Sequence, residues 1–272
     1  MALFALNGTD VNVEDTGAPD GKPDAPAILF GHGLLFSGRM YAAQVEALRG
    51  DYRCITIDFR GQGLSKPAAD GRYDMDTLTT DVVALIDQLG LETLHYVGLS
   101  MGGFVGMRLA ARHPERLRSL TLLDTSAGPE DPEKVSQYRL LGNIYRWIGM
   151  RPLIGKVSQI MFGRSTLDGP RGDAVVAELV EIVGGAQRKG MRGAIAGVTD
   201  REPCEDLLSS ITTPTLVIVG AEDVATPVAK SEVIASGIAG SRLEVVEGAG
   251  HSSTMEQPDV ITALIRAHVD AH

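Results

Sequence analysis

The sequence predicts an α/β fold, a parallel, doubly wound sheet interrupted by a helical insertion, on three observations. Short apolar runs at 27–30, 54–57, 117–123 and 214–219 have the length and the bounding turns of strands buried on both faces. Stretches with apolar residues at helical spacing lie between them, as parallel crossovers require. That alternation stops after 128 and resumes near 207, with only helix-like segments between. At 272 residues the chain fits one core with an insertion, so 1–128 and 207–272 are expected to form the core and 129–206 a helical cap.

The opening residues 2–6 and 11–14 bracket the turn Asn7-Gly8-Thr9-Asp10 and predict a hairpin. After a Pro- and Gly-rich loop at 17–26, the strand at 27–30 delivers Gly31-His32-Gly33-Leu34-Leu35-Phe36, a turn whose backbone amides can face a ligand. His32 itself is expected to hydrogen-bond its neighbours and nothing more. A helix at 40–48 and a strand at 54–57 lead to Asp58-Phe59-Arg60-Gly61-Gln62-Gly63-Leu64-Ser65, where Asp58 and Arg60 are read as loop-fixing residues. Leu78, Val82, Leu85, Ile86 and Leu89 set a crossover helix at 76–89, stopped by Gly90.

Residues 93–97, then Gly98-Leu99-Ser100-Met101-Gly102, then a helical run at 104–111 read as strand, abrupt turn and helix. A serine at such a turn is lifted out of the sheet, and the Met101 amide stands at a helix N-terminus where negative charge can be received. The Leu34 amide is the candidate second donor. Beyond the strand at 117–123 and Asp124, a helix at 135–150 carries Tyr138, Leu141, Tyr145 and Ile148 on one stripe, and a further helix spans 174–183. Phe36, Trp147, Met150, Met161 and Phe162 are candidates for an apolar substrate pocket, the Met and aromatic residues of the insertion being equally readable as packing. The alternation resumes with a strand at 214–219, a helix at 228–237, a strand at 243–246 and a last helix with Val260, Leu264, Ile265 and Val269 inward.

A serine hydroxyl needs a base within hydrogen-bond reach, and the base needs a carboxylate to hold its tautomer. In a parallel sheet the useful residues lie just after the strands. His251, in the loop Gly248-Ala249-Gly250-His251, is the histidine that fits as base, and Asp223, after the preceding strand, is the favoured acid. Asp124 also ends a strand and is its rival; Glu222 is adjacent but points the other way in an extended chain.

The motifs His32-Gly33, Asp58-x-Arg60-Gly61-x-Gly63-x-Ser65, Gly98-Leu99-Ser100-Met101-Gly102-Gly103, Gly220-x-Glu222-Asp223 and Gly250-His251 together resemble the α/β-hydrolase superfamily over nearly the whole chain. The resemblance implies an α/β-hydrolase fold with about eight mostly parallel strands, a cap after the sixth, a triad of Ser100, Asp223 and His251, and an oxyanion hole from the amides of Leu34 and Met101. Within the superfamily the chain is similar to carboxylesterases and to 3-oxoadipate enol-lactonases. Its His32-Gly33 and Met40 depart from the enol-lactonase pattern and point to an esterase for small to medium acyl chains. A lactonase acting on an anionic lactone is the alternative, carbon–carbon hydrolysis and perhydrolysis use the same triad, and a non-catalytic binding module on the same fold is the remaining reading.

The formal charge of −10 argues against nucleic acid and anionic membranes as partners and leaves a small-molecule ester or lactone; it does not set the oligomeric state. No cofactor and no metal are expected. Lys134, Arg139, Arg146, Arg151, Lys156 and Arg164 follow one another with no acid between Lys134 and Leu167, a basic half of the insertion that is read as a solvated face before it is read as a device for steering anions. Residues 1–6 lack a basic region and are too short for a secretion signal, and Cys54 and Cys204 form neither a disulfide framework nor a metal spacing, so the expected location is the cytoplasm.

Overall fold

The computed structural model describes residues 2–184 and 188–272. The chain opens with the hairpin β1 (Ala2–Leu6) and β2 (Thr9–Asp15) and enters the parallel part with β3 (Ala27–Gly31). Helix α1 (Ala42–Leu48), preceded by a short 3-10 turn at Gly38–Tyr41, leads to β4 (Arg53–Ile57). Then come α2 (Met75–Gln88), β5 (Leu94–Leu99), α3 (Met101–Arg112) and β6 (Leu117–Leu123).

Among the described residues five α-helices follow before the sheet resumes: α4 (Pro132–Ile148), α5 (Ile154–Met161), α6 (Arg164–Leu167), α7 (Gly172–Gly184) and α8 (Arg188–Thr199). The chain ends with β7 (Thr215–Gly220), α9 (Val228–Gly237), β8 (Arg242–Val246), α10 (Ser253–Glu256) and α11 (Pro258–Val269).

The eight strands form one sheet in the order β1-β2-β4-β3-β5-β6-β7-β8. Pairing is antiparallel from β1 to β2 and from β2 to β4, and parallel across the rest. The alternating side chains of β3 explain why its sequence is an unbroken apolar run. Leu29 packs with Val82 and Leu85 of α2 and Met107 of α3 on one face, whereas Ile28 and Phe30 pack with Leu48, Ile261 and Ile265 on the other. Each such fully buried Leu or Ile contributes roughly 1.5–3 kcal/mol.

The order of strands locates the site. From β3 the chain moves outward to β4 and then crosses back to β5 on the other side of β3, so the loops that leave β3 and β5 diverge and open a crevice at the carboxyl ends of the strands. The loop 32–37 and Ser100 both lie there.

Two stripes differ from expectation. In α11 Ile265 and Val269 are buried and Leu264 packs against the core as expected, but Ile261 and His268 complete the inward stripe and Val260 is exposed, since the helix turns Val260 about 100° away from its buried neighbour Ile261. In α4, Tyr145 is buried but Ile148 is exposed at the last helical residue, where the chain turns at Gly149 with φ +84°. Asp58 and Arg60 act as loop-fixing residues. Asp58 accepts from the Gly38 and Leu64 amides at 2.7 and 2.9 Å and from Asn12 Nδ2 at 3.0 Å. Arg60, fully buried, donates from Nε and Nη2 to both oxygens of Asp81 at 2.6 and 2.7 Å. No helix of the described residues is long and apolar enough to cross a membrane.

Candidate active site

Ser100 sits between β5 and α3 with φ 51° and ψ −110°, a region where a non-glycine residue stores about 1–3 kcal/mol of strain. Its backbone is held on every side: its amide donates to Leu123 O at 2.9 Å, and its carbonyl accepts from the Phe104 amide at 3.0 Å and from Thr125 Oγ1 at 2.8 Å. The turn is this tight because Gly98 and Gly102 lack side chains; a Cβ at Gly98 would strike the Gly102 carbonyl, and one at Gly102 would strike Gly31 O. Gly102 instead donates its amide to His32 O at 3.1 Å, which ties the β3 loop to the start of α3.

The loops after β7 and β8 run side by side, joined by Glu222 N donating to Ala249 O at 2.9 Å. They bring Asp223 and His251 to the serine. His251 Nε2 lies 3.0 Å from Ser100 Oγ, and His251 Nδ1 lies 2.9 Å from Asp223 Oδ2. Asp223 is fixed in turn by the amides of Ala225 and Thr226 on Oδ1 at 2.8 and 2.9 Å and by Thr226 Oγ1 on Oδ2 at 2.8 Å. All three side chains are buried. Burial alone pushes the imidazole of His251 down, yet the carboxylates of Asp223, Asp124 and Glu256 outweigh it, and the net shift is upward.

Asp124, the rival acid, turns elsewhere. It lies at the end of β6 with φ 46°, accepts the Gly220 amide at 2.9 Å, and takes the Ser253 hydroxyl at 2.5 Å and amide at 3.3 Å. Burial, and next the charge of Asp223, push its carboxyl well above the usual range. Glu222 points away from the imidazole and binds the Ser165 amide at 2.8 Å.

Among the described residues, neither the Leu34 nor the Met101 amide donates to another protein group. The neighbouring amide, Leu35, is occupied: it donates to Gln62 Oε1 at 3.0 Å, with Leu35 itself at φ 76°. Gln62, fully buried, also reaches Met101 Sδ at 3.5 Å from Nε2, so one side chain touches both segments that carry the free amides. His32 does what the sequence implies. Its Nδ1 contacts Gly33 O at 2.7 Å and its Nε2 accepts the Phe59 amide at 2.9 Å, which assigns a neutral ring protonated at Nδ1; burial keeps its pKa low.

Ser100 and His251 line a cavity of about 780 Å³, part of it open to solvent, between the strand ends and the inserted helices. Its wall is almost wholly apolar, with Leu34, Leu141, Tyr145, Met150, Val157 and Ile195 among its members. Among the described residues its wall holds one carboxylate, Glu130, whose Oε2 accepts from Arg201 Nη1 at 2.9 Å. Arg201 lies behind, its guanidinium 4.2 Å from the centre of the Phe104 ring. Among the described residues no lysine or arginine lines the cavity.

Of the five expected pocket residues, Met150 and Met161 line the cavity and the other three do not. Phe36 and Phe162 are buried in the core, and Trp147 is 75% exposed with the Arg146 guanidinium 5.4 Å above its ring. Trp147 follows Tyr138 by about two and a half helical turns, which puts it on the opposite face of α4. The basic residues of the insertion also stand away from the cavity: Lys134 donates to the Val224 and Ala225 carbonyls, Arg139 pairs with Asp200, and Arg164 pairs with Asp168. Among the described residues no group of three or more His, Cys, Asp or Glu side chains could hold a metal ion.

A sheet of this order, with a serine at a strained turn beside a histidine and an aspartate, defines a class of protein, and comparison with known proteins agrees. A family model described as alpha/beta hydrolase fold matches residues 26–148. The enol-lactonase from Burkholderia xenovorans LB400 is 30% identical, superposes with a TM-score of 0.88, and is covered over 100% of its chain by 99% of this one. A thermophilic esterase from Thermogutta terrifontis, with malate bound, is 29% identical with a TM-score of 0.89 over 99% of this chain and 98% of its own. The 3-oxoadipate enol-lactonase 2 of Acinetobacter baylyi is 29% identical over 248 residues, 91% of this chain and 90% of that protein. The chain belongs to the alpha/beta hydrolase family and is a hydrolase.

Proposed function

We propose that this hydrolase cleaves neutral carboxylic esters of small to medium acyl chain through an acyl-enzyme on Ser100. One juxtaposition carries the reading: the hydrogen-bonded series Ser100, His251, Asp223, at 3.0 and 2.9 Å, faces an apolar cavity with no lysine or arginine among the described residues of its wall. Ser100 Oγ attacks the ester carbonyl while His251 Nε2 takes its proton, and Asp223 stabilises the imidazolium. The carbonyl oxygen becomes an oxyanion that the Leu34 and Met101 amides receive, each contributing on the order of 3 kcal/mol. The C–O bond then breaks and His251 returns the proton to the departing alcohol. Water, deprotonated by the same imidazole, attacks the acyl group; the acid leaves and Ser100 recovers its proton.

Residues 129–206 act in this reading as a cap that keeps the acyl chain out of water. An anionic substrate would lose its hydration there without gaining a counter-charge, because the donors of Arg201 Nε and Nη1 already serve Gly128 O, Glu130 and Val198 O. The expected location is the cytoplasm, where the free, buried Cys54 and Cys204 would stay reduced.

A second reading is supported by the relatives named enol-lactonases: a lactone is an internal ester, and the same steps open it. Turnover of p-nitrophenyl acetate and butyrate, of a neutral lactone and of a carboxylate-bearing lactone tests both. Ser100→Ala should abolish hydrolysis of the chromogenic esters. A carboxylate-bearing lactone cleaved far faster than any neutral ester would sink the first reading and leave the second.

A further inference from the structure

Five residues beyond His251 a buried carboxylate, Glu256 at the end of α10, is 3% exposed. Three backbone amides converge on it: Oε1 takes the Gly250 amide at 2.9 Å and the Ser252 amide at 3.1 Å, and Oε2 takes the Gly163 amide at 2.7 Å, with the Thr166 hydroxyl as a further side-chain partner. The first two donors are the residues on either side of His251. The third lies between α5 and α6, in the insertion. Among the described residues no cation pairs with this carboxylate directly; the nearby Arg171 donates instead to the carbonyls of Met255 and Glu256 at 3.0 and 3.1 Å.

Keeping an ionised carboxylate in such a place costs free energy, and burial indeed pushes the Glu256 carboxyl upward, against the pull of the Thr166 hydroxyl and of the three amides. A neutral acceptor would bind one or two amides more cheaply. Three converging amides, though, call for an acceptor with no hydrogen of its own, since any donor placed among them would face another donor.

We infer that Glu256 is the positioning residue for His251: by clamping the amides of Gly250 and Ser252 it fixes the imidazole against Ser100, and through Gly163 it makes that placement depend on the seating of the insertion. The inference rests on His251 being the base. Backbone packing agrees with a rigid joint at this point, because a Cβ on Gly163 would come within 2.9 Å of the Gly250 amide nitrogen. The segment has a second tie, from Glu222 to the amide and hydroxyl of Ser165, but Glu222 contacts neither neighbour of His251. Glu256 has an electrostatic effect as well. The charged groups facing His251 are Asp223 after β7, Asp124 after β6 and Glu256 on α10, and all three favour the imidazolium.

The test is Glu256→Gln, with Glu256→Asp beside it to separate charge from reach. In Glu256→Gln the amide NH2 opposes at least one backbone N–H, so kcat for p-nitrophenyl butyrate should fall by roughly tenfold to a hundredfold with KM changed less than about threefold. Loss of the negative charge should also move the acidic limb of kcat/KM to lower pH by about 0.3 unit or more. Glu256→Asp keeps the charge but not the reach: its limb should stay with the parent while kcat falls. A folded Glu256→Gln with the parent kcat, or with lost activity and an unmoved limb, overturns the inference. If Glu256→Gln does not fold, a Glu256→Asp variant with parental kcat overturns it. Labelling of the parent by a fluorophosphonate at Ser100, abolished in Ser100→Ala, shows separately that the underlying reading stands.

Discussion

Asp124 takes the hydroxyl of Ser253 at 2.5 Å, two residues past His251, and leaves the imidazole to Asp223. Two carboxylates at the ends of neighbouring strands therefore have different partners. Asp223→Asn should lower kcat by roughly 10³ to 10⁴, through the wrong imidazole tautomer, whereas Asp124→Asn should stay within about tenfold of the parent. Steady-state kinetics on p-nitrophenyl butyrate compares them, and the reverse order of effects would transfer the role of acid to Asp124.

The raised pKa of His251 sets the pH response. In the proposed mechanism its neutral form is the base, so kcat/KM should fall as pH drops, with the midpoint of that limb above the 6.5 of a free imidazole. The sign for stability is opposite. A group whose folded pKa exceeds its unfolded one contributes fully below the unfolded value, and that contribution is lost as pH rises through the folded one. A kcat/KM profile with its acidic midpoint below 6.5 would contradict the first statement.

Gln62 occupies the Leu35 amide and touches Met101, so it holds the two free amides in register without contacting substrate. In Gln62→Leu the Leu35 amide loses its acceptor and the 32–36 loop relaxes. We expect kcat to fall about tenfold with KM nearly unchanged, since the loss falls on the transition state. Equal KM and kcat effects would point to a role in binding.

The two-pronged pair of Arg60 and Asp81 is buried at both ends, with side chains 0% and 3% exposed on the closer contact. Asp81→Ala strands a guanidinium in the core and should cost about 3–5 kcal/mol. A urea titration of the parent and the variant measures it; a change below about 1 kcal/mol would mean that Asp70 and the Arg72 carbonyl, at 3.4 and 3.1 Å, suffice for Arg60.

The eight-stranded sheet was legible because its central strands are buried on both faces and so appear as apolar runs, and because Gly98 and Gly102 mark a turn that few other sequences need. Ser100, Asp223 and His251 were legible as residues just after strands. The cavity wall was harder. Helical spacing gave Tyr138, Leu141 and Tyr145, but which face of α4 meets the sheet depends on where α8 packs, and Gly142 lies against Ile195 for reasons no local pattern states. Trp147 was misplaced by the same ambiguity. Glu256 and Gln62 escaped altogether, because each is held chiefly by backbone amides, which leave no mark in the identity of a residue.

Trp147 is the single tryptophan of the chain, and it stands at the outer surface of α4, far from the packed layers of the sheet. Its emission should therefore be that of a hydrated indole even in the native protein, and melting of the central strands would change it little. An optical probe that nature has placed on the insertion alone reports how that segment moves when a ligand arrives, free of any signal from the scaffold beneath.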